Sequence, residues 1–322
     1  MEETIERDKR IKQRVSDTFL NYFANQGYVK TPSVPFITED KSILFTNATI
    51  IPWKKYILRE ALFDEEVCMK QPCLRLHALS DPIQRGVEYE TSFVRFLGYF
   101  NMLGLLTKPE NGEKASGDII KLLIEQYNIP KEKIRVMSSK KDDFIKSLDG
   151  IVDIEYDTKQ ESFYHWDYGI TGVYGRGATF CLRQKDDAFR EIGQLIRIES
   201  PNSQGFFEFG FGIETFLSRL ESRQDYSAWT IFHCLPNEYR FKTLLDLTSC
   251  FGATSAIDPE LLGNKHRKEI KRLAKRIVHA ERVFKIPEGL LEDSINKFIN
   301  LEFNHNPKSY VHEQLNEARK EI

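Results

Sequence analysis

The stretch from Ile192 to Leu220, IGQLIRIESPNSQGFFEFGFGIETFLSRL, decides how the rest of the chain is read. Ile192 to Ile198 and Gly205 to Phe209 are strand-like, and Gly212 to Leu220 then follows a helical spacing. Working outward, Cys73 to Leu76 and Ser92 to Tyr99 read as two more strands around a polar loop holding Asp81 and Pro82. Ile43 to Asn47 reads as a β-rich strand, and Ile134 to Met137 as a short one. Gly98 and the run from Leu103 suggest a change of element, and Lys108 to Ser116 an exposed connection. Helical spacing is predicted over Ile5 to Asn25, through Val15, Phe19, Tyr22 and Phe23, until Gly27 stops it. Further helices are predicted over Gly117 to Tyr127 and Asp142 to Leu148. After Pro236 the pattern is almost wholly helical, with loops near Gly252 to Asp258 and Asn304 to Pro307. The expected organisation is a mixed antiparallel α+β domain over residues 1–236 and an all-α domain over residues 237–322.

The 322 residues suffice for two such cores, and 41% apolar with 29% charged residues is ordinary for a globular chain. A net charge of −2 excludes a polyanion-binding character for the molecule as a whole, so any nucleic-acid surface is a local patch. The opening residues MEETIERDKRIKQR contain no apolar segment of a signal peptide, and no apolar run approaches the roughly 18 residues of a membrane span. A cytoplasmic location is the expectation. Cys68, Cys73, Cys181, Cys234 and Cys250 are odd in number and irregularly spaced, which suits free thiols better than a disulfide framework or a zinc site.

His266 to Val283 is the sharpest periodic feature. Ile270, Leu273, Ala274, Ile277 and Val278 form one apolar stripe. Around it stand Lys265, Arg267, Lys268, Lys271, Arg272, Lys275, Arg276, Arg282 and Lys285, opposed only by Glu269 and Glu281. Such a face is either simply solvated or contacts RNA phosphates, and the second use would bring steep salt dependence and little sequence information.

Several motifs, taken in order, resemble the alanyl-tRNA synthetase family. Pro32 to Lys55, PSVPFITEDKSILFTNATIIPWKK, is similar to the family stretch ending in LLFTNAGMNQFK. Cys73-Leu74-Arg75 resembles the CVR that opens the second class II motif, and SFVRFLGYF at Ser92 to Phe100 stands where the family has TFFEMLGNF. Asn128 to Ile134 resembles LGLPKEKLY, Glu161 to Tyr164 resembles ENFW, and Thr171 to Gly175 resembles TGPCG. Glu191 to Ile196 stands for EIWNLV, and Glu208 to Thr215 for DTGMGLER, the third motif. The basic helix is similar to the RGYVLRRLIRRA helix of the acceptor-stem-binding middle domain. The resemblance is collinear from about residue 15 onward, without the family's editing and C-terminal oligomerisation domains. It implies a class II synthetase-type antiparallel sheet flanked by helices, followed by the helical domain.

The implied chemistry is attack of an amino-acid carboxylate on the α-phosphate of ATP, with Mg²⁺, followed by transfer to a tRNA 3′ end. By the resemblance Arg75 holds the α-phosphate and is the catalytic residue. Phe93, Arg95, Gly210, Gly212 and Arg219 are further ATP-site candidates. Tyr164, Gln194, Glu208 and Gly210 would form the amino-acid pocket, Glu208 and Gln194 each being one methylene longer than the family's Asp and Asn. A methylene is worth about 1–3 kcal/mol of discrimination, so alanine is not taken as the substrate. Lys268, Lys271, Arg272, Lys275 and Arg276 would face the tRNA acceptor stem. Two departures stand out: Thr215 replaces the third-motif arginine, and Arg95 replaces the second-motif glutamate. Arg219, one turn beyond Thr215, would reach back towards the phosphates or else lie on the surface. The alternatives are an inactive paralogue serving as an RNA-binding or regulatory subunit, and an amino-acid ligase with a non-tRNA acceptor. A hydrolase has little support, because no His/Cys cluster replaces the editing domain. GVYGRG at Gly172 to Gly177 lacks the context of a phosphate-binding P-loop.

Overall fold

The structure, a computed structural model, describes residues 2–58, 60–76, 98–199, 205–222, 229–240, 242–304 and 308–322. Within them one sheet is built from β1 (Val29–Lys30), β2 (Val67–Arg75), β3 (Gly98–Thr107), β4 (Ile134–Ser138), β5 (Asp153–Tyr156), β6 (His165–Ile170), β7 (Val173–Arg183), β8 (Phe189–Glu199) and β9 (Phe206–Gly212). The order is β1-β2-β3-β9-β8-β7-β4-β5, with β6 pairing β7 beside that path. Every pairing is antiparallel except β1–β2 and β4–β5. Helices are α1 (Glu2–Asn25), α2 (Ile50–Ile57), α3 (Gly112–Lys121), α4 (Ile213–Leu220), α5 (Trp229–Cys234), α6 (Lys242–Ser255), α7 (Asn264–Val283), α8 (Leu290–Phe303) and α9 (Lys308–Glu321).

The two faces of the sheet follow from the period-2 pattern of β9. Phe207, Phe209 and Phe211 point one way, into a core with Phe19 and Phe23 of α1 and Ala115 and Ile119 of α3. Burying each such phenylalanine contributes about 1.5–3 kcal/mol. Phe206 points the other way, into a smaller cluster with Trp53 and Ile57 of α2, Met69, Leu106 and Ile196. Glu208 and Gly210 share that second face. A third core joins the C-terminal helices to the sheet through Phe45, Leu74 and Tyr99, which pack with Leu244, Leu273, Ile295 and Phe298.

Most predicted elements are present, and the exceptions are instructive. Ile43 to Asn47 is not a strand. Its backbone makes isolated bonds, Thr46 N to Phe36 O and Leu74 N to Thr46 O, while Phe45 turns towards the C-terminal helices. β3 continues through Leu103 to Thr107 rather than changing there, because it is buried on both faces and carries no alternation to read. The connection expected over Lys108 to Ser116 already contains the start of α3, and the helix predicted to reach Tyr127 becomes a wider π turn over Leu122–Gln126. Gly252 lies inside α6 rather than in a loop. A Cβ there would come within 2.6 Å of the Phe298 ring, so glycine is what lets α6 and α8 approach closely. Of the predicted strand Ser92 to Tyr99, residues 92–97 lie outside the described residues.

Candidate active site

Four central strands lay their side chains on the second face of the sheet. Across β3, β9, β8 and β7, the neighbours in register are Gly104, Gly210, Gln194 and Thr179. Two residues along β9 from Gly210, Glu208 is 6% exposed. Its Oε1 accepts from Thr49 Oγ1 at 2.9 Å and its Oε2 from the Tyr168 hydroxyl at 3.5 Å. Burial pushes the Glu208 carboxyl up to about 7, against the two hydroxyls and the positive charge of Arg75, which favour the ionised form.

Arg75 ends β2. Its Nε donates to the carbonyl of Asn47 at 2.8 Å, and its guanidinium lies 5.1 Å from the centre of the Phe100 ring. These contacts fix the plane of the guanidinium relative to the loop before α2. Burial lowers the Arg75 pKa, while the charges of Cys73, Glu208 and Glu191 oppose that loss. Glu191 is pushed to about 7 by burial, opposed by Arg219 and Arg75. The floor therefore alternates Glu208, Arg75, Glu191 and Arg219.

The proposed surface position of Arg219 is not found. Every residue of α4 from Ile213 to Arg219 is buried, and Arg219 Nε donates to the Glu191 carbonyl at 3.3 Å. From Ile213 to Arg219 the helix offers no wet face, and the guanidinium turns towards Glu191. Thr215 itself is fully buried, and its hydroxyl finds no hydrogen-bond partner among the described residues.

The remaining candidates divide. Gln194 is half-buried opposite Gly210. The space freed by Gly210 is taken up by the chain itself: a Cβ there would lie 3.0 Å from Met102 Cε and 3.4 Å from Thr49 Oγ1. Gly212 caps the start of α4. Tyr164 is buried, but its hydroxyl accepts from the Lys159 amide at 3.1 Å, and it is Tyr168 that reaches Glu208. Phe93 and Arg95 lie outside the described residues. Sequence reasoning missed Thr49, Tyr168 and Glu191. Thr49 and Glu191 were visible as members of matched motifs, whereas Tyr168 sits in a stretch with no matched counterpart.

On α7 the apolar stripe is buried as expected. The basic side chains are not a uniform free surface. Lys271 and Lys275 pair with Glu321 of α9 at 2.5 and 2.6 Å, and Arg272 pairs with Glu269 at 3.0 Å. Lys268 is exposed and Arg276 half-buried. The structure does not bring these residues to the carboxylate site, but α7 reaches it indirectly. His266 Nδ1 accepts from the Gly263 amide, so Nε2 donates to the Leu44 carbonyl at 2.9 Å, in the loop that carries Asn47 and Thr49. All five cysteines are free thiols. Among the described residues no three His, Cys, Asp or Glu side chains gather as a metal site, and no helix is long and apolar enough to cross a membrane.

The two raised carboxyls set one pH trend for stability, and Glu208 sets the opposite one for a bound cation. A carboxyl raised in the folded state contributes stability below its unfolded value of about 4.5, and that stability is lost as pH rises through about 7. The melting temperature of the free protein is therefore expected to fall between roughly pH 5 and 8. A cationic ligand held by Glu208 would need the ionised form, and its affinity would be expected to rise about tenfold between roughly pH 6 and 8. Calorimetric titration alongside thermal melts checks both slopes. A flat affinity over that window would mean that Glu208 does not receive the cation.

The family model for tRNA synthetases class II (A) matches residues 14–217. The alanine–tRNA ligase of Idiomarina loihiensis is 28% identical over 170 residues, covering 50% of this chain and 19% of that protein. That of Desulforamulus reducens is 25% identical over 333 residues, covering 87% of this chain and 36% of that protein. The chain thus spans only about a fifth to a third of these relatives. Among solved structures, the pyrrolysyl-tRNA synthetase PylSc of Desulfitobacterium hafniense aligns with a TM-score of 0.37 at 16% identity, over 65% of this chain and 69% of that one. The RNA-binding domain of threonyl-tRNA synthetase from Cryptosporidium parvum aligns with a TM-score of 0.43 at 7% identity, over 67% and 64%. The extent of the family match and the run of alanine–tRNA ligase relatives agree: this chain belongs to the class II (A) tRNA synthetases, as a member of the alanyl-tRNA synthetase family.

Proposed function

We propose that the chain activates an amino acid with ATP and passes the acyl group to a tRNA acceptor end. The observation that carries this reading is the buried Glu208 carboxylate, which shares one sheet face with Arg75. Glu208 receives the α-ammonium, with Gln194 beside it. Arg75, held by Asn47 and Phe100, takes the charge that develops on the α-phosphoryl group. Arg219, beyond Glu191, adds a second cation to that side of the floor. Mg²⁺ enters with ATP, since it binds mainly through nucleotide phosphates and keeps several waters. Residues 1–236 act as the catalytic unit and residues 237–322 as the acceptor-facing one, where Lys268 and Arg276 are the first cations to test. With Glu208 and Gln194 each one methylene longer than the family's residues, the substrate is a small amino acid that need not be alanine.

The test is ATP–pyrophosphate exchange with each proteinogenic amino acid, run beside Glu208→Gln. Exchange that depends on one amino acid and disappears in the variant supports activation and names the substrate. The buried, unpartnered Thr215 hydroxyl favours a second reading, an RNA-binding or regulatory subunit that has lost activation. No exchange with any amino acid, together with no ATP binding, would decide for that reading.

A further inference from the structure

A buried carboxylate that serves only the fold is normally matched by a cation or by several backbone amides. Glu208 has neither. Among the described residues no lysine or arginine nitrogen lies within ion-pairing distance, and its two hydrogen bonds come from the neutral hydroxyls of Thr49 and Tyr168. Glycines on three strands make room for those hydroxyls. Thr49 Cβ, Cγ2 and Oγ1 each lie 2.8 Å from the place a Cβ on Gly104 would take, and Oγ1 lies 3.4 Å from that on Gly210. The Tyr168 ring lies 3.0 Å from the corresponding point at Gly175. Any side chain at Gly104 would drive Thr49 off Glu208.

Hydroxyls of this kind do something an arginine cannot. They hydrogen-bond the ionised carboxylate and fix its plane, yet leave its charge unneutralised for a cation that arrives from outside. A carboxylate has about four lone-pair directions, and among the described residues two of them remain for that ligand. We propose that Thr49 is a positioning residue for ammonium recognition, holding Glu208 oriented and un-neutralised for the primary α-ammonium of a small amino acid. This rests on the reading that Glu208 is the ammonium site, and it adds which residue makes that carboxylate competent. Thr49 acts through Glu208 rather than on the substrate. Its methyl group, wedged over Gly104, keeps the hydroxyl in place.

The experiment compares Thr49→Val, which keeps the shape and loses the hydroxyl, with Thr49→Ser, which keeps the hydroxyl. The Glu208 carboxyl is followed by ¹³C NMR in ligand-free protein carrying [δ-¹³C]glutamate, its signal assigned through Glu208→Gln. Thr49→Val is expected to raise the Glu208 titration midpoint by about one pH unit, and Thr49→Ser to restore it, because a lost hydrogen bond to the charged form disfavours ionisation. In pyrophosphate exchange, Thr49→Val is expected to raise KM for the amino acid about tenfold near neutral pH with little change in kcat, the deficit shrinking at higher pH. An unchanged midpoint in folded Thr49→Val overturns the proposal whatever the exchange assay shows. Wild-type protein that neither binds ATP nor gives exchange with any amino acid sinks only the activation reading, and the carboxyl midpoint still decides the role of Thr49.

Discussion

Arg75→Ala is expected to lower kcat for pyrophosphate exchange by about 10²–10³-fold, the loss that follows removal of one fixed donor to developing charge. The size of the effect comes from the surroundings of Arg75. Its guanidinium is half-buried, lies close to the Phe100 ring and is tied through Nε to the Asn47 carbonyl, so it needs little reorganisation when negative charge builds up opposite it. The same removal strips two carboxyls, buried Glu208 and half-buried Glu191, of a stabilising charge, and both should be harder to ionise in the variant. Amino-acid affinity at neutral pH should therefore fall together with kcat, and recover in part as pH is raised. Arg75→Lys restores the charge without the planar fork and should recover only a minor part of the rate. A variant that loses affinity for ATP while kcat is intact would place Arg75 in ground-state binding instead.

How far the sequence could be read depended on the range of the interactions involved. Glu208, Gln194 and Arg75 could be singled out as candidates because each lies in a motif whose order along the chain is kept, and the α7 stripe was legible because helical periodicity is a local property. Thr49 was hidden in plain view. It follows the matched residues of the LFTNA run, and only the register of β3 against β9 shows that two glycines open a place for it. Tyr168 reaches Glu208 from β6, across the edge of Gly175 on β7, a geometry no linear pattern encodes. Ile43 to Asn47 has strand-forming residues but no partner strand, and β propensity is decided by partners. The charges of α7 looked free because Glu321 lies about fifty residues away and is brought alongside only by the packing of α9 on α7. Arg219 looked like a surface residue because an amphipathic reading of α4 assumes one wet face. In the fold only its last residue, Leu220, is exposed.

The largest expected loss of stability belongs to Lys12→Ala, which should cost about 3–5 kcal/mol, the usual penalty for leaving buried charge without its partner. Lys12 of α1 lies between Glu302 of α8, 3.3 Å from both carboxylate oxygens, and Glu214 of α4 at 3.6 Å. The three side chains are 9%, 11% and 1% exposed, so water does little of the solvating. The carboxylates are also anchored to the sheet. Tyr99 donates its hydroxyl to Glu302 at 2.9 Å, and Asn101 donates its backbone amide and Nδ2 to Glu214 at 2.9 and 3.0 Å. Burial alone would lower the pKa of the Lys12 ammonium, yet the two carboxylates hold it above its ordinary value. A raised lysine contributes its full stability below the unfolded value and loses it only as pH climbs through the folded one, so the contribution is constant across neutral pH. In Lys12→Ala, two carboxylates would face each other in a dry seam between the first helix, the third-motif helix and the C-terminal helices. The melting temperature should drop on the order of 10 °C. Neutralising the whole group with Lys12→Met, Glu214→Gln and Glu302→Gln should recover much of that loss, because the penalty comes from uncompensated charge rather than from missing volume. A loss below about 1 kcal/mol in Lys12→Ala, the worth of an ordinary exposed pair, would mean that the seam is wet and that the C-terminal helices are held by their apolar contacts alone.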